Sequence, residues 1–236
     1  MNKNFYLKER AEEIEITLND KQLEKFSQYF ELLVMWNEKI NLTAITKIGD
    51  VMEKHFIDSM AVFHLTKIKQ FSKIIDVGTG AGFPAVPMKI IREDIDLSLL
   101  DALQKRMEFL KELSKQLELP MEMIHGRAEE VIKHKGMRES FDYAVSRAVA
   151  KLNIIAEYVL PYVRVGGQFI AWKGPSGNEE LEESKRAIAL LGAEISTQKY
   201  YELRSGEKRM LIVMEKVRQT PISYPRKNSI IKSKPL

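Results

Sequence analysis

Hydrophobic residues fall into two rhythms along this chain. Leu23, Phe26, Phe30, Leu33 and Val34 recur every three or four positions, the stripe of a helix that covers a neighbouring element. Asn19 or Asp20 can cap it, and the pattern fades near Met35 to Thr43, where Asn41 and Thr43 suit a turn. A further helix is expected from Asp50, carrying His55, Phe56, Asp58 and Ser59. Residues 1–70 show no strand-like alternation and read as a helical subdomain packed on the core formed by the rest of the chain. The rhythm then changes to short apolar runs: Ile74 to Val77, residues 96–101, Met121 to His125, Phe141 to Val145 and Gln168 to Trp172. Helical stretches separate them, Pro84 to Ile91 and Gln104 to Leu117 being the clearest. Apolar runs alternating with helices imply right-handed crossovers and a mainly parallel sheet in residues 71–216. Residues 194–203 and 208–216, joined by Arg204-Ser205-Gly206-Glu207, read as a hairpin that ends this sheet with an antiparallel strand.

Composition narrows the chemistry. The 236 residues, 44% of them hydrophobic, suffice for one α/β core with an extension. No apolar run approaches the ~20 residues that span a bilayer, and the first ten residues lack a leader's apolar segment, so a cytoplasmic protein is expected. Cysteine is absent, which excludes methylation at pyrimidine carbon 5 through a thiolate and radical chemistry on an iron–sulfur cluster. His55, His64, His125 and His134 have no ligand spacing, so no protein-bound metal is expected. Of the net charge of +4, residues 217–236 carry +5 and leave the remainder at −1. By composition alone that basic arm, with Arg226 and Lys227 in it, reads first as a disordered solubility tail and second as an arm that contacts phosphate, the reading that a nucleic-acid partner favours; a strap docked on the domain is the further alternative.

The chain is organised around Lys73 to Pro84. A buried strand runs into Gly78, Gly80 and Gly82, whose backbone can turn through positive φ and approach a ligand with no Cβ in the way. The dinucleotide pattern G-x-G-x-x-G fails because position 83 is Phe. With Asp76 the loop reads D-x-G-x-G-x-G, which resembles that of the Rossmann-like methyltransferases that bind S-adenosylmethionine. Asp101, at the end of the second strand, stands where a carboxylate would accept the ribose hydroxyls. Ligands in such sheets gather at the strand ends, here Asp76 to Gly82, Asp101-Ala102, Gly126 to Glu129, Ser146 to Ala148 and Trp172 to Gly174. Ala128 and Glu129 fall where adenine is met. Arg147 and Lys173 fall where an acceptor would meet the methyl group. No Asn/Asp-Pro-Pro-aromatic motif follows the fourth strand, so no general base is evident. An acceptor that already holds a lone pair, such as a purine N7, needs only position and field.

From Leu32 to Leu236 the chain resembles one family, the bacterial 16S ribosomal RNA guanine-N7 methyltransferases of the glucose-inhibited division protein B type. The resemblance rests on Trp36 to Thr43, His55 to Ser59, Asp76 to Pro84, Lys105-Arg106, Gly126 to Glu129, Ser146 to Ala148, Lys173-Gly174 and the basic ending. Ala85 and Ala102 depart from it, standing where glycine and serine are common. It implies a class I methyltransferase fold with seven strands and an N-terminal helical extension. It implies S-adenosylmethionine as cofactor and a guanine in the decoding-centre loop of small-subunit RNA as substrate. Gly78, Phe83, Ala128, Glu129 and Arg147 correspond to cofactor contacts in that family, and Arg127, Lys173 and Arg209 to basic positions linked to RNA or catalysis. A monomer is expected. The rival reading is a non-catalytic RNA-binding or ribosome-assembly factor, against which the intact glycine loop and Asp101 argue.

Overall fold

The computed structural model describes residues 3–236, without the Lys3 side chain. In chain order the elements are α1 (Lys3–Glu13), α2 (Asp20–Ile40), α3 (Ile48–Val51), a π-helical turn (Met52–Ile57), α4 (Asp58–Leu65), β1 (Lys73–Val77), α5 (Ala85–Ile91), β2 (Asp96–Asp101), α6 (Gln104–Gln116), β3 (Glu122–His125), α7 (Ala128–Val131), β4 (Phe141–Arg147), α8 (Leu152–Val159), β5 (Val163–Lys173), α9 (Gly177–Leu190), β6 (Ala193–Glu202), β7 (Lys208–Lys216) and α10 (Asn228–Ser233). The sheet order is β3-β2-β1-β4-β5-β7-β6. β1 to β5 pair in parallel, and β7 runs antiparallel to both of its neighbours. This is the seven-stranded, mainly parallel sheet that the sequence predicts.

The predicted hairpin ends the sheet with antiparallel pairing, and its two strands are placed in a definite order. β7 inserts between β5 and β6. The burial of Met210, Leu211, Ile212, Val213 and Met214 explains the placement, because a continuous apolar run needs cover on both faces. β6 is buried only at its first residue and elsewhere partly covered or exposed, as an edge strand is. β5 also begins five residues before the predicted Gln168. Gly166 and Gly167 hide its first half, and the backbone comes so close there that a Cβ on Gly167 would lie 2.5 Å from the Asp142 carbonyl.

The N-terminal helices share one core with a face of the sheet. Asn19 caps α2 with a reciprocal capping box to Gln22. The inward face of α2 carries Phe26, Tyr29 and Leu33, while Phe30, one of the predicted stripe residues, lies only half-buried. Tyr29 instead packs its ring on Phe83 at 5.2 Å. The helix predicted from Asp50 starts earlier, at Ile48, and runs through a π turn that carries His55 and leads into Asp58 at the start of α4.

The basic tail, residues 217–236, docks on the domain. The Arg226 guanidinium pairs with the fully buried Glu157 at 2.6 Å, Arg138 donates to the carbonyls of Thr220 and Tyr224, and Ile231 of α10 is fully buried. Burying an apolar side chain and satisfying a buried carboxylate are each reason enough for the segment to dock. No helix among the described residues is long and apolar enough to cross a membrane.

Candidate active site

A cleft of about 1260 Å³ opens over the carboxyl ends of β1, β2, β4 and β5. One wall is backbone. Gly78 and Gly80 take φ of +77° and +61°, and the space around the Gly80 Cβ position is open. The turn is fixed from behind: Gly78 N and Thr79 N donate to the Leu100 carbonyl, and Gly80 N donates to Asp101 Oδ2 at 2.9 Å. Asp101 thus does more than face a ligand. Its carboxylate also accepts from Leu103 N and Arg106 Nη1, tying the first two strand ends together.

Two predicted cofactor residues lie beneath this wall and do not line the cleft. Asp76 is fully buried and accepts from Thr79 Oγ1 at 2.8 Å. Its Oδ1 has no hydrogen-bond partner, the Ala85 amide giving only a weaker pull. Burial pushes its pKa up to about 8, which favours the neutral acid beneath the loop. Gly82, at φ +94°, lets Tyr29 reach in: a Cβ there would stand 2.7 Å from the tyrosine oxygen, which donates to the Ala81 carbonyl. Gly78, Gly80, Phe83, Asp101, Ala128, Glu129, Arg127, Arg147, Lys173 and Arg209 do line it.

The opposite wall is made of side chains, and Asp58 is its hub. Only 2% exposed, it accepts from Arg147 Nη1 at 2.6 Å and Tyr201 Oη at 2.7 Å, with Arg209 Nε at 3.4 Å. Burial and the neighbouring Asp58 carboxylate raise the Tyr201 pKa, which keeps its proton available for that bond. Arg147 also donates to the Lys54 carbonyl and to His55 Nδ1, and its guanidinium lies over the Phe83 ring at 5.2 Å. A guanidinium only donates, so His55 Nδ1 accepts and the ring proton sits on Nε2, facing Thr43 Oγ1 at 3.0 Å. Burial and the Arg147 charge push the His55 pKa down to about 3, leaving the ring neutral and stacked on Phe83 at 4.4 Å.

The remaining basic residues divide by what already holds them. Lys173 Nζ donates to Glu180 Oε2 at 2.7 Å and to the Ala150 carbonyl at 2.8 Å. Arg209 is shared between Glu207 and Asp58. Arg127, the N-cap of α7, is exposed, as is Lys227. Arg226 pairs with Glu157, which gives its guanidinium a structural partner. Tyr158, Asn228 and Lys232 close the far side of the cleft, Tyr158 Oη donating to Asn228 Oδ1 at 2.6 Å.

Residues 22–211 match the family described as rRNA small subunit methyltransferase G. Curated relatives called ribosomal RNA small subunit methyltransferase G are 45% identical in Clostridium novyi, over 99% of this chain and 98% of that one, and 45% identical in Alkaliphilus metalliredigens, over the whole of both. The chain belongs to the GidB family. It is an S-adenosylmethionine-dependent methyltransferase. The fold agrees with that of a 16S rRNA (adenine(1408)-N(1))-methyltransferase from Catenulisporales acidiphilia solved with SAM, which has a TM-score of 0.53, 12% identity and coverage of 64% of this chain and 87% of that one. TYW2 of M. jannaschii, in complex with AdoMet, has a TM-score of 0.51, 12% identity and coverage of 62% and 69%. The residues present fit the cofactor: open glycine backbone, the Asp101 carboxylate and the apolar Leu100, Leu103 and Ile155 share one cleft. GidB-family membership and the glycine loop were both open to sequence reasoning. Asp58 and Glu180 were not, since the partners of Asp58 and the Leu152 amide that Glu180 caps are remote; the one signal was that Asp58 lies within the motif His55 to Ser59.

Proposed function

We propose that this GidB-family chain methylates N7 of one guanine in the decoding-centre loop of 16S ribosomal RNA, acting as a cytoplasmic monomer without a protein-bound metal. S-adenosylmethionine supplies a methyl group on a sulfonium. Gly78, Gly80 and Asp101 would hold its body, and Ala128 and Glu129 the adenine. The observation that carries the choice of acceptor is that His55, Asp58, Glu180 and Glu207, the groups able to take a proton at the acceptor end, are already held by Arg147, Tyr201, Lys173, Leu152, Lys54 or Arg209. A nucleophile that must lose a proton would find no free base there, whereas guanine N7 offers its lone pair directly.

Arg147 is the residue proposed to face the base. Asp58 and His55 fix its guanidinium, and a fixed guanidinium suits the O6 and N7 edge of guanine or an adjacent phosphate. Its preset position costs no reorganisation when the acceptor arrives. Exposed Arg127 and Lys227 would meet the RNA backbone, with Arg209 nearer the hub. The reading is tested by methylating small-subunit RNA in vitro, then treating it with borohydride and aniline. N7 methylation labilises the base, so cleavage at a single guanine is expected. Methyl incorporation without cleavage would assign another acceptor atom.

A further inference from the structure

The segment that joins β4 to α8 lies across the glycine loop. Its Val149 packs on Gly78 so closely that a Cβ on the glycine would stand 2.7 Å from Val149 Cγ2. Ala148 just before it has a φ of +56°, a left-handed conformation that a residue other than glycine keeps only when its surroundings impose it. What imposes it comes from β5 and α9. Lys173 Nζ donates to the Ala150 carbonyl, and Glu180 Oε2 accepts both from Lys173 Nζ and, at 2.9 Å, from Leu152 N. Lys151, the N-cap of α8, offers that helix no side-chain cap. The carboxylate of Glu180 therefore caps α8 from the next helix and fixes the lysine that grips the segment. Ser176 Oγ completes the arrangement by donating to Glu180 Oε1 at 3.0 Å. Lys173 and Glu180 are both largely buried, with side chains 9% and 17% exposed.

We propose that Glu180 and Lys173 form a latch that holds residues 148–151 over the glycine loop, making Glu180 a positioning residue for the methyl-transfer site. The latch gives Lys173 its role: two of its three N–H donors are spent on the chain itself, so it acts through the segment it grips and not on the acceptor. Arg147 and Val149 flank Ala148, so the same grip presets the cation at the acceptor end and the apolar cover on Gly78. The inference rests on the cofactor occupying this cleft, not on which base is methylated.

Titration calorimetry with S-adenosylhomocysteine tests it without any RNA. Glu180→Gln and Lys173→Met should each weaken binding by about tenfold to a hundredfold, the loss expected when a buried charge-assisted bond that preorganises a site is removed. The double variant should bind no worse than the weaker single one, because the two residues act as one unit. Val149→Ala leaves the latch intact on a half-exposed side chain and should weaken binding severalfold. Wild-type affinity in all three single variants overturns the latch, even if their melting temperatures fall. So does a Lys173→Met protein that binds normally but transfers methyl slowly while Glu180→Gln does neither, since Lys173 would then touch the acceptor. If the wild type itself bound no S-adenosylhomocysteine, the cofactor assignment would fall along with the latch.

Discussion

The two walls of the cleft are built by different physics. The glycine loop presents backbone: Gly78 and Gly80 at positive φ, their amides tied to Leu100 and Asp101, with open space at Gly80. The helical wall presents charge: Asp58 gathers Arg147, Tyr201 and Arg209 from three different strands, and the Trp172 indole donates to its carbonyl at 2.9 Å. A backbone wall tolerates no new side chain, whereas a charge wall tolerates no missing partner. The loop suits a cofactor of fixed shape. The hub suits orienting a cation toward a substrate that must come and go.

The sharpest test of that contrast is Gly80→Val. A β-branched residue opposes a φ of +61° and projects into the one part of the loop where nothing fills the space, so S-adenosylmethionine binding should be lost in calorimetry. Retained affinity would mean that the backbone wall is not the cofactor's wall. Asp58→Ala should act differently. It leaves the Arg147 and Arg209 guanidiniums without their shared carboxylate, a loss worth roughly 3–5 kcal/mol when a buried pair is broken. Since the side chains lie beyond the glycine loop, melting temperature and methyl transfer should fall further than cofactor affinity. An equal loss of affinity and transfer would merge the two walls into one.

The same contrast explains what could be read in the sequence. The loop wall was legible because its geometry is local: Asp76 to Gly82 are contiguous, and Asp101 ends the next strand. The stripe of α2 and the five parallel strands were legible for a similar reason, each carrying its periodicity within a few residues. Asp58 was not, because its meaning depends on Tyr201 and Arg209, which reach it only once β7 has inserted between β5 and β6. Charge was the least legible property. Arg226 reads as one more cation in a basic tail until the buried Glu157, 69 positions earlier, is found against it. Asp76 was read as a ligand contact from its place in the motif, yet it sits one layer down, where burial and not ligand chemistry sets its state.

Asp76 offers a gentler probe of the loop wall. Its pKa stands near 8 in the fold, against an ordinary 3.8. Below about pH 4 both folded and unfolded chains hold the proton and the group contributes no pH dependence. Between there and about pH 8 the unfolded chain loses its proton while the folded one keeps it, so stability falls as pH rises, by at most about 1.4 kcal/mol per pH unit. Asp76→Asn, which cannot ionise, should flatten this slope in urea unfolding of the cofactor-free protein between pH 5 and 8. An unchanged slope would show that Asp76 is ionised beneath the loop.

The smallest effects should come from the tail, where one short segment holds both kinds of cation. Arg226 is a structural charge: its guanidinium makes several bonds to Glu157, which is fully buried, so Arg226→Ala leaves an uncompensated carboxylate inside the protein. Lys227 and Lys232 are exposed, and Lys232 lines the cleft together with Arg127. Substituting those lysines removes charge from the surface and no packing from the core. Arg226→Ala should therefore lower the melting temperature while leaving the salt dependence of RNA binding unchanged. Lys227→Ala and Lys232→Ala should leave the melting temperature alone and flatten the log–log salt slope, by at most about 0.7 to 0.9 for each phosphate no longer neutralised. Both measurements on all three variants decide whether strap and RNA-binding roles are separable. If neither lysine alters the slope, the docked segment is a strap alone, and the basic surface that meets RNA must lie elsewhere along the cleft, at Arg127 and Arg209.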